Sequence, residues 1–195
     1  MKHLKKLIPN IFVLTEGETE KIYLNHLKQR GHNYSLHIQS YGRNDPLKMV
    51  KRCNEIFRNR GMSVRRGDYA FCVMDVDNCK DDDFREALQY SDKHRIQIIL
   101  SNPCFEVFLL LHFTDNIPRL TSKEMKKELS KYIDGYRETV DYWNFLMEYQ
   151  PDALKRSRCY HLENDSVTNG ILGTNVWAIF DLVERLKTKN DSAEE

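Results

Sequence analysis

The chain has 195 residues, 41% hydrophobic and 30% charged, with 30 Lys+Arg against 29 Asp+Glu and a formal net charge of +1. That length buries a sizeable core without disulfides or a structural metal, and the apolar content is too high for a disordered polymer. The near-balance of charge argues against a strongly polybasic nucleic-acid binder, and no apolar run approaches the ~20 residues that span a bilayer. The start, Met1 to Pro9, is basic without a long apolar stretch, so no secretory leader is read and the cytosol is the expected compartment. The five cysteines are odd in number and form no C-x-x-C pair. They suggest neither a disulfide framework nor a zinc site, and Cys72 and Cys104 read as buried free thiols.

Ile8 to Leu14 is a short apolar run, expected as a buried strand. A polar break, Thr15 to Glu20, leads into an amphipathic helix carrying Ile22, Tyr23, Leu24 and Leu27, with Gly31 as its stop. Ser35 to Tyr41 alternates like a strand. Asp45 and Pro46 suit the cap and first position of a second helix, and Gly61 and Gly67 bracket a basic loop containing Arg65 and Arg66. Tyr69 to Met74 is continuously apolar, the mark of a central strand covered on both faces. A third helix spans 81–94, a fourth strand Ile96 to Leu100, and an apolar helix Phe105 to Phe113.

The remainder reads as helical: Leu120 to Tyr132 capped by Thr121 or Ser122, an aromatic-rich Thr139 to Tyr149, Pro151 to about Tyr160, and Val176 to Leu186 capped by Asn175. Alternating strands and helices over 8–113 predict a mainly parallel four-stranded α/β sheet flanked by helices. A helical C-terminal part, about 114–188, is expected to pack on that core within a single domain.

The balanced charge hides an asymmetry. Residues 1–70 carry 14 Lys+Arg and 6 Asp+Glu, a net of +8, while residues 71–115 carry 4 and 9, a net of −5. The acids also have a pattern. Open parallel sheets bind ligands beyond the carboxyl ends of their strands. Glu16 follows the first strand with Glu18 and Glu20 close behind, Asp75 and Asp77 follow the third, and Asn102 and Glu106 follow the fourth. Alternation puts Asp75 and Asp77 on one side of the chain and Val76 toward the core. Each acid alone reads as a turn residue or helix cap. Together, at the tips of different apolar strands, they favour an oxygen-ligand site for Mg²⁺ or Mn²⁺.

These residues resemble the Toprim fold, which pairs a Glu after the first strand with a later acidic D-x-D. More closely, the chain is similar to the RloB family, through Glu16-Gly17-Glu18-Thr19-Glu20 with Tyr23, Asp75-Val76-Asp77, Ser101-Asn102-Pro103 with Phe105-Glu106, and Thr174-Asn175-Val176. Phe108 stands where that family is expected to carry Trp. The resemblance implies a Toprim-like, Rossmann-like core and a bacterial protein of restriction and abortive-infection loci, acting as a metal-dependent nuclease with an ATPase partner.

On that reading Asp75 and Asp77 hold Mg²⁺, Glu16 ligates a second ion or acts as general acid/base, and Glu20 and Glu106 complete the catalytic set. Arg43, Lys80 and Asn102 are candidates for contacting substrate phosphate; for the two cations an ordinary surface role weighs at least as heavily. DNA, RNA and a specific tRNA stay open as substrates, and a homo-oligomer is compatible with the sequence. The seven histidines show no ligand spacing, and His112 reads as a satisfied core residue. The aromatic group Tyr132, Tyr136, Tyr142, Trp143, Phe145 and Tyr149 reads first as helical core or a partner interface, and second as a surface that stacks bases. A competing reading is a Toprim-fold module that binds a nucleotide or partner without cutting. A primase-type nucleotidyl transfer ranks behind both.

Overall fold

The computed structural model describes residues 8–28, 33–42, 45–76, 81–163 and 170–188. Its elements in chain order are β1 (Asn10–Thr15), α1 (Glu18–Asn25), β2 (Ser35–Ser40), α2 (Pro46–Asn59), β3 (Tyr69–Asp75), α3 (Asp81–His94), β4 (Gln97–Asn102), α4 (Glu106–Leu110), α5 (Ser122–Leu129), α6 (Trp143–Leu146), α7 (Gln150–Cys159), β5 (Gly173–Thr174) and α8 (Trp177–Thr188).

The five strands lie in the order β2-β1-β3-β4-β5. The first four pair in parallel and β5 joins β4 antiparallel. The α/β class and the mainly parallel sheet are as expected, but the sheet has five strands and not four. A two-residue strand carries no periodicity to read. β5 is held from both sides: Thr174 N donates to Tyr160 O (2.9 Å), and the Ser101 and Thr174 hydroxyls bond at 2.8 Å. Gly173 is required there, because a Cβ would lie 2.0 Å from Tyr160 O.

Strand alternation explains the layers. Ile11 and Val13 face one way, against Tyr23 and Leu24 of α1, the α4 residues and Ile179 to Leu186 of α8. Phe12 and Leu14 face the other, against Val50, Cys53 and Phe57 of α2 and Phe84 and Ala87 of α3. The continuous run of β3 divides in the same manner, with Phe71 and Val73 on one face and Cys72 and Met74 on the other. Both faces of the sheet are therefore dry, which is why its central strands need no polar positions. Cys53, Cys72 and Cys104 are buried free thiols.

Local signals act where the sequence placed them. Asp45 caps α2 by accepting from Lys48 N at 2.9 Å, with Pro46 at the first turn. Thr121 and Glu124 form a reciprocal capping box at α5. Other boundaries differ from expectation. α1 closes at Asn25, and Gly31 lies outside the described residues. Asn175 does not spend its side chain on capping α8. Its Oδ1 accepts from Leu162 N (2.7 Å) and its Nδ2 donates to Leu162 O (2.6 Å), pinning the chain after α7. Of Thr139 to Tyr149 only Trp143–Leu146 is helical, because the segment before it runs as a strap across α1. Thr19 Oγ1 donates to Glu138 O at 2.6 Å, and His26 both bonds Asp141 (2.8 Å) and stacks on Trp143.

Candidate metal centre at the carboxyl edge

Strand order reverses between β1 and β3, since the chain steps to β2 on one side and to β3 and β4 on the other. In open α/β sheets the crevice at such a reversal is where ligands bind. Glu16 and Asp75 flank it. Glu16 continues the ladder, its N–H donating to Val73 O at 2.9 Å, and its Oε2 accepts from Asp75 N at 3.2 Å. One carboxylate thus ties the tips of the two central strands.

The turn into α1 brings Glu20 back to the same point. Thr15 Oγ1 donates to Gly17 O (2.8 Å), and Gly17 N donates to Glu20 Oε1 (3.4 Å). Gly17 has an extended backbone that any residue adopts, so its role is spatial: a Cβ would sit 2.8 Å from Glu20 Oε2. Glu106 enters from the first turn of α4 and accepts from the Tyr136 hydroxyl at 3.1 Å. Glu20 and Glu106 are each only 3% exposed.

Burial, with repulsion from Glu106 and Glu16, pushes the Glu20 carboxyl up to about 7. The nearby Cys104 thiol is also pushed up, by burial first and then by Glu106 and Asp75. Burial first, and then Glu106, hold the Tyr136 hydroxyl protonated as a donor. Beside them lies a cavity of about 270 Å³ whose lining, among the described residues, includes six acidic side chains, Glu16, Glu18, Glu20, Asp75, Glu106 and Glu138, and one lysine, Lys126. Lys126 is ion-paired with Glu138.

The structure therefore brings Glu16, Glu20, Asp75 and Glu106 together. Asn102 does not join them: its amide donates to Ile171 O at 2.7 Å, toward the β5 side. Asp77, Arg43 and Lys80 lie outside the described residues. Sequence reasoning missed the cover of the site. Lys126, Tyr136, Glu138 and Thr139 come from the helical part, far along the chain. Their only sequence signal was Tyr136 in an aromatic group read mainly as core or interface. His112 is the satisfied core histidine expected, its Nε2 paired with the Tyr23 hydroxyl at 2.8 Å.

Among the described residues the charged donors lining this cavity are carboxylate oxygens, with no histidine or cysteine, which suits a hard divalent cation and not zinc. Crowded carboxylates repel, and a cation relieves that repulsion. As the side chains stand, no three acidic, histidine or cysteine groups among the described residues surround one point closely enough to hold an ion. Of the three expected ligands, Glu16 and Asp75 lie at the crevice and Asp77 is outside the described residues.

A protein-family model described as RloB-like protein matches residues 11–186. No curated protein matches the chain. No helix among the described residues is long and apolar enough to cross a membrane.

Proposed function

The chain belongs to the RloB-like family, and on that premise we propose that it is a Mg²⁺- or Mn²⁺-dependent nuclease of Toprim type. It cleaves nucleic-acid phosphodiesters in bacterial phage defence, in the cytoplasm and together with an ATPase partner. Family membership by itself suggests a protein associated with defence loci. The observation that carries the finer reading is the meeting of Glu16, Glu20, Asp75 and Glu106, from the tip of β1, α1, β3 and α4, at the reversal point of the sheet.

Glu16 and Asp75 would hold the cation, with Asp77 as a further ligand. Bound there, it supplies neutralisation of phosphate charge and activation of water. The protein's own groups do the rest. A carboxyl poised at about 7, such as Glu20, accepts and returns a proton at neutral pH. The Gly17 N–H and the buried surroundings fix where that proton sits. Tyr136 orients Glu106 through its hydroxyl. Lys126, the cation at the rim, can meet a substrate phosphate.

A second reading has one observation in its favour. The described carboxylates do not form a ready set of three ligands, as a module that binds a nucleotide or partner without cutting would allow. Incubating the purified protein with Mg²⁺ or Mn²⁺ and a mixed DNA, RNA and tRNA pool, with and without the neighbouring ATPase, separates the two. Cleavage that disappears in Asp75→Ala and Glu16→Ala supports the nuclease. Intact substrates under every condition, with retained binding, support the module.

A further inference from the structure

A cavity of about 640 Å³ lies at the opposite end of the sheet from the carboxylates. Its lining includes Arg58, from the last turn of α2, and Arg65, from the helical turn Val64–Arg66. Lys93, His94 and Arg95 line it from the end of α3. All of these precede parallel strands β3 or β4, which puts them at the amino edge. Strands of six or seven residues separate the two edges by roughly 20 Å. Among the described residues no acid lines this cavity. A neighbouring cavity of about 480 Å³ shares Met62 and adds Arg60, Arg66 and His37. Its one acid, Asp68, is buried and already accepts from Asn10 N (2.8 Å) and Ser63 N (2.7 Å).

A helix C-terminus attracts cations through its dipole, and that accounts for Arg58 and Lys93 individually. It does not account for Arg65, or for Arg95. Arg95 has φ 56, in the left-handed region that favours glycine, at the point where Ile96 N closes α3 on Ser91 O. Nor does it explain the missing partners. Several exposed cations elsewhere pair with a carboxylate three residues away, as in Lys21–Glu18, Arg52–Glu55 and Arg85–Asp82, although others, such as Lys123 and Lys155, stand alone as these do. Among the described residues Arg58, Arg65, Lys93 and Arg95 have no such partner. The positive field reaches His37, held below its ordinary value by burial and then by Arg60 and Lys28.

We propose that this amino-edge cavity, with Arg58, Arg65, Lys93 and Arg95 around it, binds the phosphate backbone of a nucleic-acid strand. The cavity is larger than one phosphate ion needs. Its cations are spread around an open basin, and it offers no buried charged side chain to fix a single small anion. Contacts of this kind position a strand without reading its sequence. The proposal rests on the nucleic-acid part of the function proposed above but not on cleavage, so binding is measured without divalent cations.

The test is fluorescence anisotropy in EDTA with a labelled mixed-sequence oligonucleotide, as DNA and as RNA, over a salt titration. Replacing Arg58, Arg65, Lys93 and Arg95 together by Ala is expected to weaken binding at least ~10-fold and to flatten the slope of log K against log salt by about 3. Arg95→Gly relieves the backbone, so it keeps or raises the melting temperature while weakening binding several-fold. Wild-type protein that fails to bind, or a fourfold variant with unchanged affinity and slope, overturns the proposal. Displacement by inorganic phosphate at equal phosphate concentration overturns it in favour of a free anion, and equal affinity for polyglutamate in favour of an acidic protein.

Discussion

At the carboxyl edge of the sheet, Glu20 and Glu106 are buried, their carboxylates tied to Gly17 N and the Tyr136 hydroxyl, and a strap from the helical part lies across α1 beside them. At the amino edge, Arg58, Arg65, Lys93 and Arg95 are exposed, and no acid lines their cavity. The first edge holds charge of one sign in fixed geometry and low dielectric, where burial and then neighbouring carboxylates raise Glu20. The second presents charge of the other sign in solvent, where it acts as a field and is screened by salt. A balanced composition thus resolves into two opposed ends of one sheet. The buried end is suited to chemistry and the exposed end to holding a polyanion.

The contrast can be broken most severely at the carboxyl edge. Asp75→Ala is expected to lower divalent-dependent cleavage at least ~10³-fold, the effect of losing several kcal/mol of charge stabilisation. Circular dichroism should show the fold retained, since Asp75 ends a strand and does not fill the core. Cleavage that survives the substitution would remove the carboxyl edge from the chemistry.

Asp68 is the exception at the amino edge, a buried acid among exposed cations. Burial alone would raise its carboxyl, but bonds from Ser63 and Asn10 outweigh that and hold it below its ordinary value. Its stabilising contribution is therefore complete above the ordinary carboxylate range and fades as pH falls through the lowered value. Asp68→Ala leaves the N–H groups of Asn10 and Ser63 without their acceptor. Urea denaturation at neutral pH should read a loss of about 3 kcal/mol.

Glu20 behaves in the opposite sense. Its ordinary value is 4.5 and its folded value about 7. Below 4.5 the group is protonated whether the chain is folded or not. Between the two values the unfolded chain releases a proton that the folded one keeps, so stability falls as pH rises. In EDTA near pH 8, Glu20→Gln should gain on the order of 2 kcal/mol in thermal denaturation, and near pH 4 almost nothing. A gain that does not depend on pH would mean that burial and repulsion do not raise the Glu20 carboxyl. The smallest effect belongs to the exposed edge. Arg58→Ala with Arg65→Ala should leave stability within ~0.5 kcal/mol while oligonucleotide binding weakens.

What the sequence disclosed follows the range of each interaction. Continuous apolar runs marked β1 and β3 because both faces of the sheet are covered, and Asp45-Pro46 marked the start of α2 because capping is local. Glu16 and Asp75 were visible for the same reason: each sits at the tip of such a run. β5 was not, since two residues carry no period and its pairing depends on Tyr160 and Ser101 arriving from elsewhere. Tyr136, Glu138 and Lys126 were hidden because only the path of the strap brings them to the acids. The amino-edge basin was half visible, as Arg65 and Arg66 in a basic loop, but its convergence with Arg58, Lys93 and Arg95 needs the antiparallel run of α2 and α3 against the strands.

The most direct test of the central claim is a crystal of the protein grown or soaked with Mn²⁺, measured for anomalous scattering. The account predicts a peak in the crevice between β1 and β3, coordinated by carboxylate oxygens of both Glu16 and Asp75. A crevice without a peak at saturating Mn²⁺, or an ion bound elsewhere and touching neither residue, would contradict it.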